Sequence, residues 1–139
     1  MSILYKSVPK GQPGVVGGGT IKYYAEIVRQ QPINLRKFAT EIADRSTLTT
    51  TDVFAVLESF LERMNYHMED GRIIRLGEFG SFSPALSSKA EDGPRDVDEY
   101  TINKVKVNFR PSKELRSRLG KLKFQKIGTA IDESESIVP

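Results

Sequence analysis

The 139-residue chain contains no cysteine. That excludes a disulfide framework and thiolate metal sites, and it fits a reducing compartment. Histidine is almost as scarce. His67 stands alone, with no second imidazole to complete a zinc site, and is read as a partly buried or simply exposed side chain. The hydroxyls of Ser46-Thr47-Leu48-Thr49-Thr50-Thr51 have no His and Asp beside them to make a nucleophile, and helix capping accounts for them. The chain is therefore expected not to be an enzyme, to use no cofactor or metal, and to take no small-molecule substrate. Long hydrophobic runs are missing too. No stretch approaches the ~20 apolar residues of a membrane helix, and residues 1–7 lack the apolar run of a signal peptide. The expectation is a soluble cytoplasmic protein with no membrane partner.

Net charge is also small, +3, and by itself argues for no class of partner. Its distribution says more. From Lys104 to Lys126 nine positive residues (Lys104, Lys106, Arg110, Lys113, Arg116, Arg118, Lys121, Lys123 and Lys126) stand against Glu114 alone, a net +8. Such a segment is either a solvated face or a polyanion-binding surface. With 38% hydrophobic and 28% charged residues the composition is that of an ordinary globular chain, and the length fits one domain of about 100–150 residues with extra sequence at its ends.

Along the chain, Lys10 to Thr20 (KGQPGVVGGGT) holds five glycines and a proline, too free to fold alone, and reads as a leader or connector. A phosphate-loop interpretation fails for want of a preceding strand and of the Lys-Ser/Thr pair. Ile21 to Val28 is β-branched and aromatic and is expected to be a strand. Leu35, Phe38, Ala39, Ile42 and Ala43 then follow helical spacing behind Asn34 as a cap. Thr49, with Asp52 three residues on, starts a second and longer helix. Its apolar stripe runs from Val53 to Met68, and Phe54 lies outside that stripe, so the apolar surface is wider than one neighbouring helix would cover. A partner subunit could cover the rest.

Gly71 is expected to end that helix. Arg72 to Leu76 and Ser81 to Ser83 are short strand candidates bent through Gly77-Glu78-Phe79-Gly80, with Phe79 turned to the core. Tyr100 to Phe109 is the clearest strand: Val105, Val107 and Phe109 alternate with Lys104, Lys106 and Asn108, so an apolar face backs a cationic one. Ser112 caps a short basic helix in which Leu115, Leu119 and Leu122 share a face if it survives Gly120. Residues 1–21 are thus expected to be a flexible Gly-rich leader, 22–124 the folded domain with an additional N-terminal strand, and 125–139 a disordered acidic tail.

Two stretches carry a resemblance. Leu76-Gly77-Glu78-Phe79-Gly80-Ser81-Phe82 resembles the Gly-Phe-Gly-Thr-Phe corner of the HU and integration host factor family of bacterial DNA-binding proteins, and Val107 to Leu115 (VNFRPSKEL) resembles that family's Phe-Lys-Pro-Gly-Lys-x-Leu stretch. The likeness covers about residues 34–124, and the N-terminal extension is similar to the longer HU-like proteins of Bacteroidetes. It implies an α+β fold: an HU-like intertwined homodimer with an N-terminal helical base, an antiparallel saddle, a protruding β-arm and a short C-terminal helix. It also implies a nucleoid-associated protein whose partner is double-stranded DNA, bent or condensed with little sequence preference, and in which an arm-tip proline wedges between base steps. Pro94 lies close to that position, flanked by Lys89 and Arg95 as arm contacts. The arm departs from the family pattern. Between Ser87 and Thr101, Lys89 and Arg95 face Glu91, Asp92, Asp96, Asp98 and Glu99, a net −3, and carboxylates within a Debye length of about 8 Å repel phosphates. DNA is therefore expected on Lys104, Lys106, Arg110, Lys113, Arg116 and Arg118. The alternative is an HU-fold scaffold whose acidic arms bind a basic protein.

Overall fold

The computed structural model describes residues 1–128, and its chain divides into two units, residues 33–118 and residues 1–32 with the segment from 119 on. In the first unit Asn34 sets the start of α1 (Leu35–Ala43): its Oδ1 accepts the Lys37 amide at 2.9 Å. Thr49 does the same for α2 (Thr50–Glu69), its Oγ1 accepting the Asp52 amide at 3.2 Å. Each cap satisfies an amide that the first helical turn leaves without a partner. The two helices pack together, and Ala39 and Val53 are the buried apolar side chains among the described residues. Gly71, at φ +75°, ends α2 in the left-handed conformation.

An antiparallel sheet in the order β3-β4-β5 follows, from β3 (Ile74–Leu76), β4 (Gly80–Ser88) and β5 (Ile102–Pro111). β4 is longer than the Ser81–Ser83 expected because Pro84 does not interrupt it. β3 pairs only as far as Phe82, so past that residue β4 has one unpaired side, where a strand tolerates a residue with no N–H. The expected strand start at Tyr100 moves to Ile102, because Asp98 holds Glu99–Thr101 in a 3-10 turn by accepting the amides of Tyr100 and Thr101 at 2.9 and 3.2 Å.

The corner from Gly77 to Gly80 is as read. Gly80 is irreplaceable there: a Cβ would come 2.5 Å from the Arg110 carbonyl oxygen and 2.7 Å from the Phe109 ring, at φ +152°. Phe79 is not turned to a core. It lies 5.3 Å from the Phe109 ring centroid and remains half exposed, since no layer of this unit covers that side. Ser112 ties the corner to α3 (Lys113–Gly120): its Oγ donates to the Glu78 carbonyl and accepts the Leu115 amide at 3.0 Å, and its own amide donates to the Phe79 carbonyl at 3.1 Å.

In the second unit residues 2–10 are a strand, β1 (Ser2–Lys10), where a flexible leader was expected. β1 pairs antiparallel with β2 (Lys22–Ile27) and parallel with β6 (Lys123–Lys126), giving the order β2-β1-β6. The glycine-rich stretch is the connector of the β1–β2 hairpin. The strand escapes a local reading because its hairpin with β2 turns through a long glycine-rich connector rather than a short turn, and its other partner, β6, lies more than a hundred residues away along the chain. Residues 123–126 are likewise strand, overlapping the expected start of the acidic tail, and Asp132, Glu133 and Glu135 lie outside the described residues.

Candidate nucleic-acid interface

Side chains alternate across a strand, so the register assigns each residue of β3, β4 and β5 to a face. Phe82 lies between Ile74 and Phe109, with Pro84 beside Val107 and Leu86 beside Val105, all on one face. The other face carries Arg75 beside Ser81, Ser81 beside Arg110, Ser83 beside Asn108, Ala85 beside Lys106 and Ser87 beside Lys104. Each long cation on this face therefore sits next to a short side chain. The serines and alanine leave the ammonium and guanidinium groups with no long side chain directly across the strand pair.

At the corner end of this face is an open cleft of about 560 Å³. Arg75 and Arg110 line it from the strands, Lys113 and Arg116 from α3, and Ser81, Ser83 and Ser112 supply hydroxyls. Among the described residues no carboxylate lines it. Lys104, Lys106, Arg110, Lys113 and Arg116 are all exposed, and none is in an ion pair among the described residues. Ser112, the link between β5 and α3, is held to the corner and so brings the start of α3 to the end of the sheet. The cleft thus gathers four cations and three hydroxyls on one stretch of surface.

Of the residues singled out from sequence, the structure brings Arg110, Lys113 and Arg116 to the cleft and places Lys104 and Lys106 on the same sheet face. Arg118 is exposed on α3 but does not line the cleft. Lys89, Pro94 and Arg95 are elsewhere, in the arm. The β4–β5 ribbon runs to the Ser88–Ile102 pair, is joined above it by the Lys89 amide on the Thr101 carbonyl at 2.9 Å, and closes through a 3-10 turn at Pro94–Asp96. Pro94 opens that turn with Gly93 before it, exposed, among the arm's five carboxylates. Sequence reasoning missed Arg75. Its signal was the alternation Ile74, Arg75, Leu76, which becomes informative only once β3 is registered against β4.

A helix pair and a ribbon sheet, with a glycine corner and a cationic sheet face, define the class: an α+β protein built like the DNA-architectural proteins. The comparisons agree. The family model described as an HU domain fused to wHTH, Ig or a glycine-rich motif matches residues 1–126. Integration host factor subunit alpha of Haemophilus influenzae is 31% identical over 84 residues, covering 59% of this chain and 88% of that one. The Actinobacillus succinogenes subunit alpha is 32% identical over 89 residues, covering 60% and 91%. Among solved structures, an Anabaena HU–DNA cocrystal superposes with a TM-score of 0.51 at 19% identity, over 64% of this chain and 99% of that one. The crystal structure of a candidate bacterial DNA-binding protein from Bacteroides vulgatus superposes with a TM-score of 0.62 at 12% identity, over 90% of this chain. The present chain spans about half (48%) of the length of that protein. The protein belongs to the HU and integration host factor family of DNA-binding proteins.

Proposed function

We propose that this chain is a homodimeric, nucleoid-associated protein of the cytoplasm that binds duplex DNA with little sequence preference and bends or compacts it. The observation that carries this reading is the segregated face of β3, β4 and β5. Arg75, Lys104, Lys106 and Arg110 share it, Lys113 and Arg116 join them at the cleft, and no acid intrudes there. Phosphate contacts from such groups fix position on a duplex without reading its bases. Arg118 extends the basic flank.

The homodimer is supported by what one copy leaves uncovered. Val105 and Val107 are 65% and 60% exposed, and Leu86 and Phe109 on the same face and Val56 and Phe60 on α2 are exposed as well. Burying apolar side chains is the dominant favourable term in folding, and Ala39 with Val53 cannot supply it. A second copy presenting the same faces would.

The arm is the weak part of a bending mechanism. Lys89, Arg95 and Pro94 are its groups able to meet DNA, and the net −3 of the loop opposes them. We place the main contact on the sheet face and assign the arms little attraction for phosphate. The same acidity favours a second reading, a dimeric scaffold whose arms bind a basic protein while DNA contact is weak. Mobility shift of random-sequence duplex by the purified protein at graded salt separates the two. DNA binding that weakens about a thousandfold between 50 and 200 mM salt supports the first. Absence of a complex at low salt, or a flat salt response, refutes it.

A further inference from the structure

We infer that the second unit, the β2-β1-β6 sheet, is itself a binding surface for the phosphate backbone of duplex DNA. The inference takes its ligand class from the function proposed above, but it rests on different residues.

Charge partition carries it. Residues 33–118 hold fourteen Lys and Arg and fourteen Asp and Glu, so the HU-like unit is net neutral. The described residues of the other unit, 1–32 and 119–128, hold seven (Lys6, Lys10, Lys22, Arg29, Lys121, Lys123 and Lys126) against Glu26 alone, a net +6. Long-range attraction of a polyanion follows net charge. With Asp132, Glu133 and Glu135 counted this unit keeps +3, the entire net charge of the chain, so the net-charge part of the attraction comes from outside the HU-like unit.

Register concentrates the charge. Lys10 pairs directly with Lys22, Lys6 with Glu26, and Ser2 with Lys123, so Lys6, Lys10, Lys22 and Lys123 share one face. Like charges set directly across two strands repel and cost stability when nothing compensates them. The Lys10–Lys22 pair is built into the hairpin all the same: the turn between them is closed by the Gln12 amide on the Gly18 carbonyl at 2.6 Å and by successive glycines at positive φ. Tyr24 is on the same face, half exposed, with the Lys10 Nζ 5.7 Å from its ring centroid. An ammonium pair beside an exposed aromatic is suited to a sugar–phosphate backbone, with the cations taking phosphate oxygens and the ring lying against the sugar. The opposite face is mostly apolar, with Ile3, Tyr5, Ala25, Ile27 and Phe124 on it and Lys126 beside Tyr5, whereas Leu4, Val8 and Glu26 lie among the lysines of the first face.

The test uses the full chain and a random-sequence 30-base-pair duplex, with fluorescence anisotropy titrations from about 50 to 200 mM salt, the range in which phosphate contacts change affinity most measurably. Lys10→Gln/Lys22→Gln is expected to reduce the slope of log affinity against log salt by about 1.8, which narrows the change across that range about twelvefold. Lys10→Arg/Lys22→Arg is expected to restore it. Wild-type affinity and slope in the Gln variant overturn the inference. A parallel Lys104→Gln/Lys106→Gln variant separates this claim from the earlier one: loss only there sinks the appended sheet, and loss only in the Lys10/Lys22 variant sinks the HU-like face. No duplex binding by the wild type overturns both, and binding to anionic vesicles in its place assigns the lysine face to a membrane. Should the Gln pair lower the unfolding midpoint, Lys6→Gln/Lys123→Gln on the same face reads the same slope, and an unchanged slope there also overturns the inference.

Discussion

Replacing Lys104 and Lys106 by glutamine tests the sheet face most directly, because the structure puts both on one side of β5 next to short side chains, with no ion pair to lose among the described residues. Six cations (Arg75, Lys104, Lys106, Arg110, Lys113 and Arg116) are available to phosphates on the face and at its cleft. With a slope of about −0.9 per phosphate, six contacts give about −5.4, and a fourfold rise in salt then weakens binding roughly two-thousandfold. Removing two leaves a slope of about −3.6 and a loss of roughly 150-fold over the same range. The variant is therefore expected to differ most from wild type at low salt and to approach it as salt rises. Anisotropy titrations with random duplex at four or five salt concentrations measure both slopes, and circular dichroism confirms that the fold is retained. A variant displaced from wild type by a constant factor at every salt concentration would refute the assignment of Lys104 and Lys106 to phosphates, because a lost counterion-releasing contact must change the slope.

Other expectations follow from particular contacts. Gly80→Ala forces a Cβ against the Arg110 carbonyl and the Phe109 ring at a φ that L-residues avoid; a loss of about 2–4 kcal/mol is expected in denaturant unfolding. Ser112→Ala removes the α3 cap and the tie to Glu78 together. It should cost about 1–2 kcal/mol and weaken DNA binding by releasing Lys113 and Arg116 from the cleft, read by unfolding and mobility shift side by side. Val107→Asp puts a carboxylate on the exposed apolar face of β5; if the protein is the homodimer proposed, wild type should sediment at twice the chain mass and the variant as a monomer, whereas equal masses would refute an interface on this face. Neutralising the arm with Glu91→Gln, Asp92→Asn and Asp96→Asn, which leaves the Asp98 cap in place, should strengthen DNA binding at low salt, and weaker binding would show that those carboxylates assist it.

Much of this protein is written locally. The caps at Asn34, Thr49 and Ser112, the end of α2 at Gly71, the glycine corner and the alternation of β5 all depend on residues within a few positions of one another, and all of them appear where the chain predicts. What fails is equally specific. β1 was hidden because its hairpin with β2 turns through a long glycine-rich connector and its other partner, β6, is far away in sequence. β4 runs on past the expected Ser81–Ser83 because Pro84 stands where β4 is paired on one side only, and an edge strand tolerates a residue with no N–H. Phe79 was assigned to a core that a single copy does not possess.

The sequence by itself determined the helix pair, the ribbon strand, the opposition of an apolar and a cationic face on β5, and the unusual acidity of the arm, since periodicity and charge are properties of adjacent residues. Only the tertiary structure decided that Arg75 joins Arg110, Lys113 and Arg116 around one cleft, that the short side chains of β4 leave those cations unobstructed, and that Lys10 faces Lys22 across a second sheet. Those relations depend on strand register, which hydrogen bonding between distant segments sets and which no local stretch of chain contains.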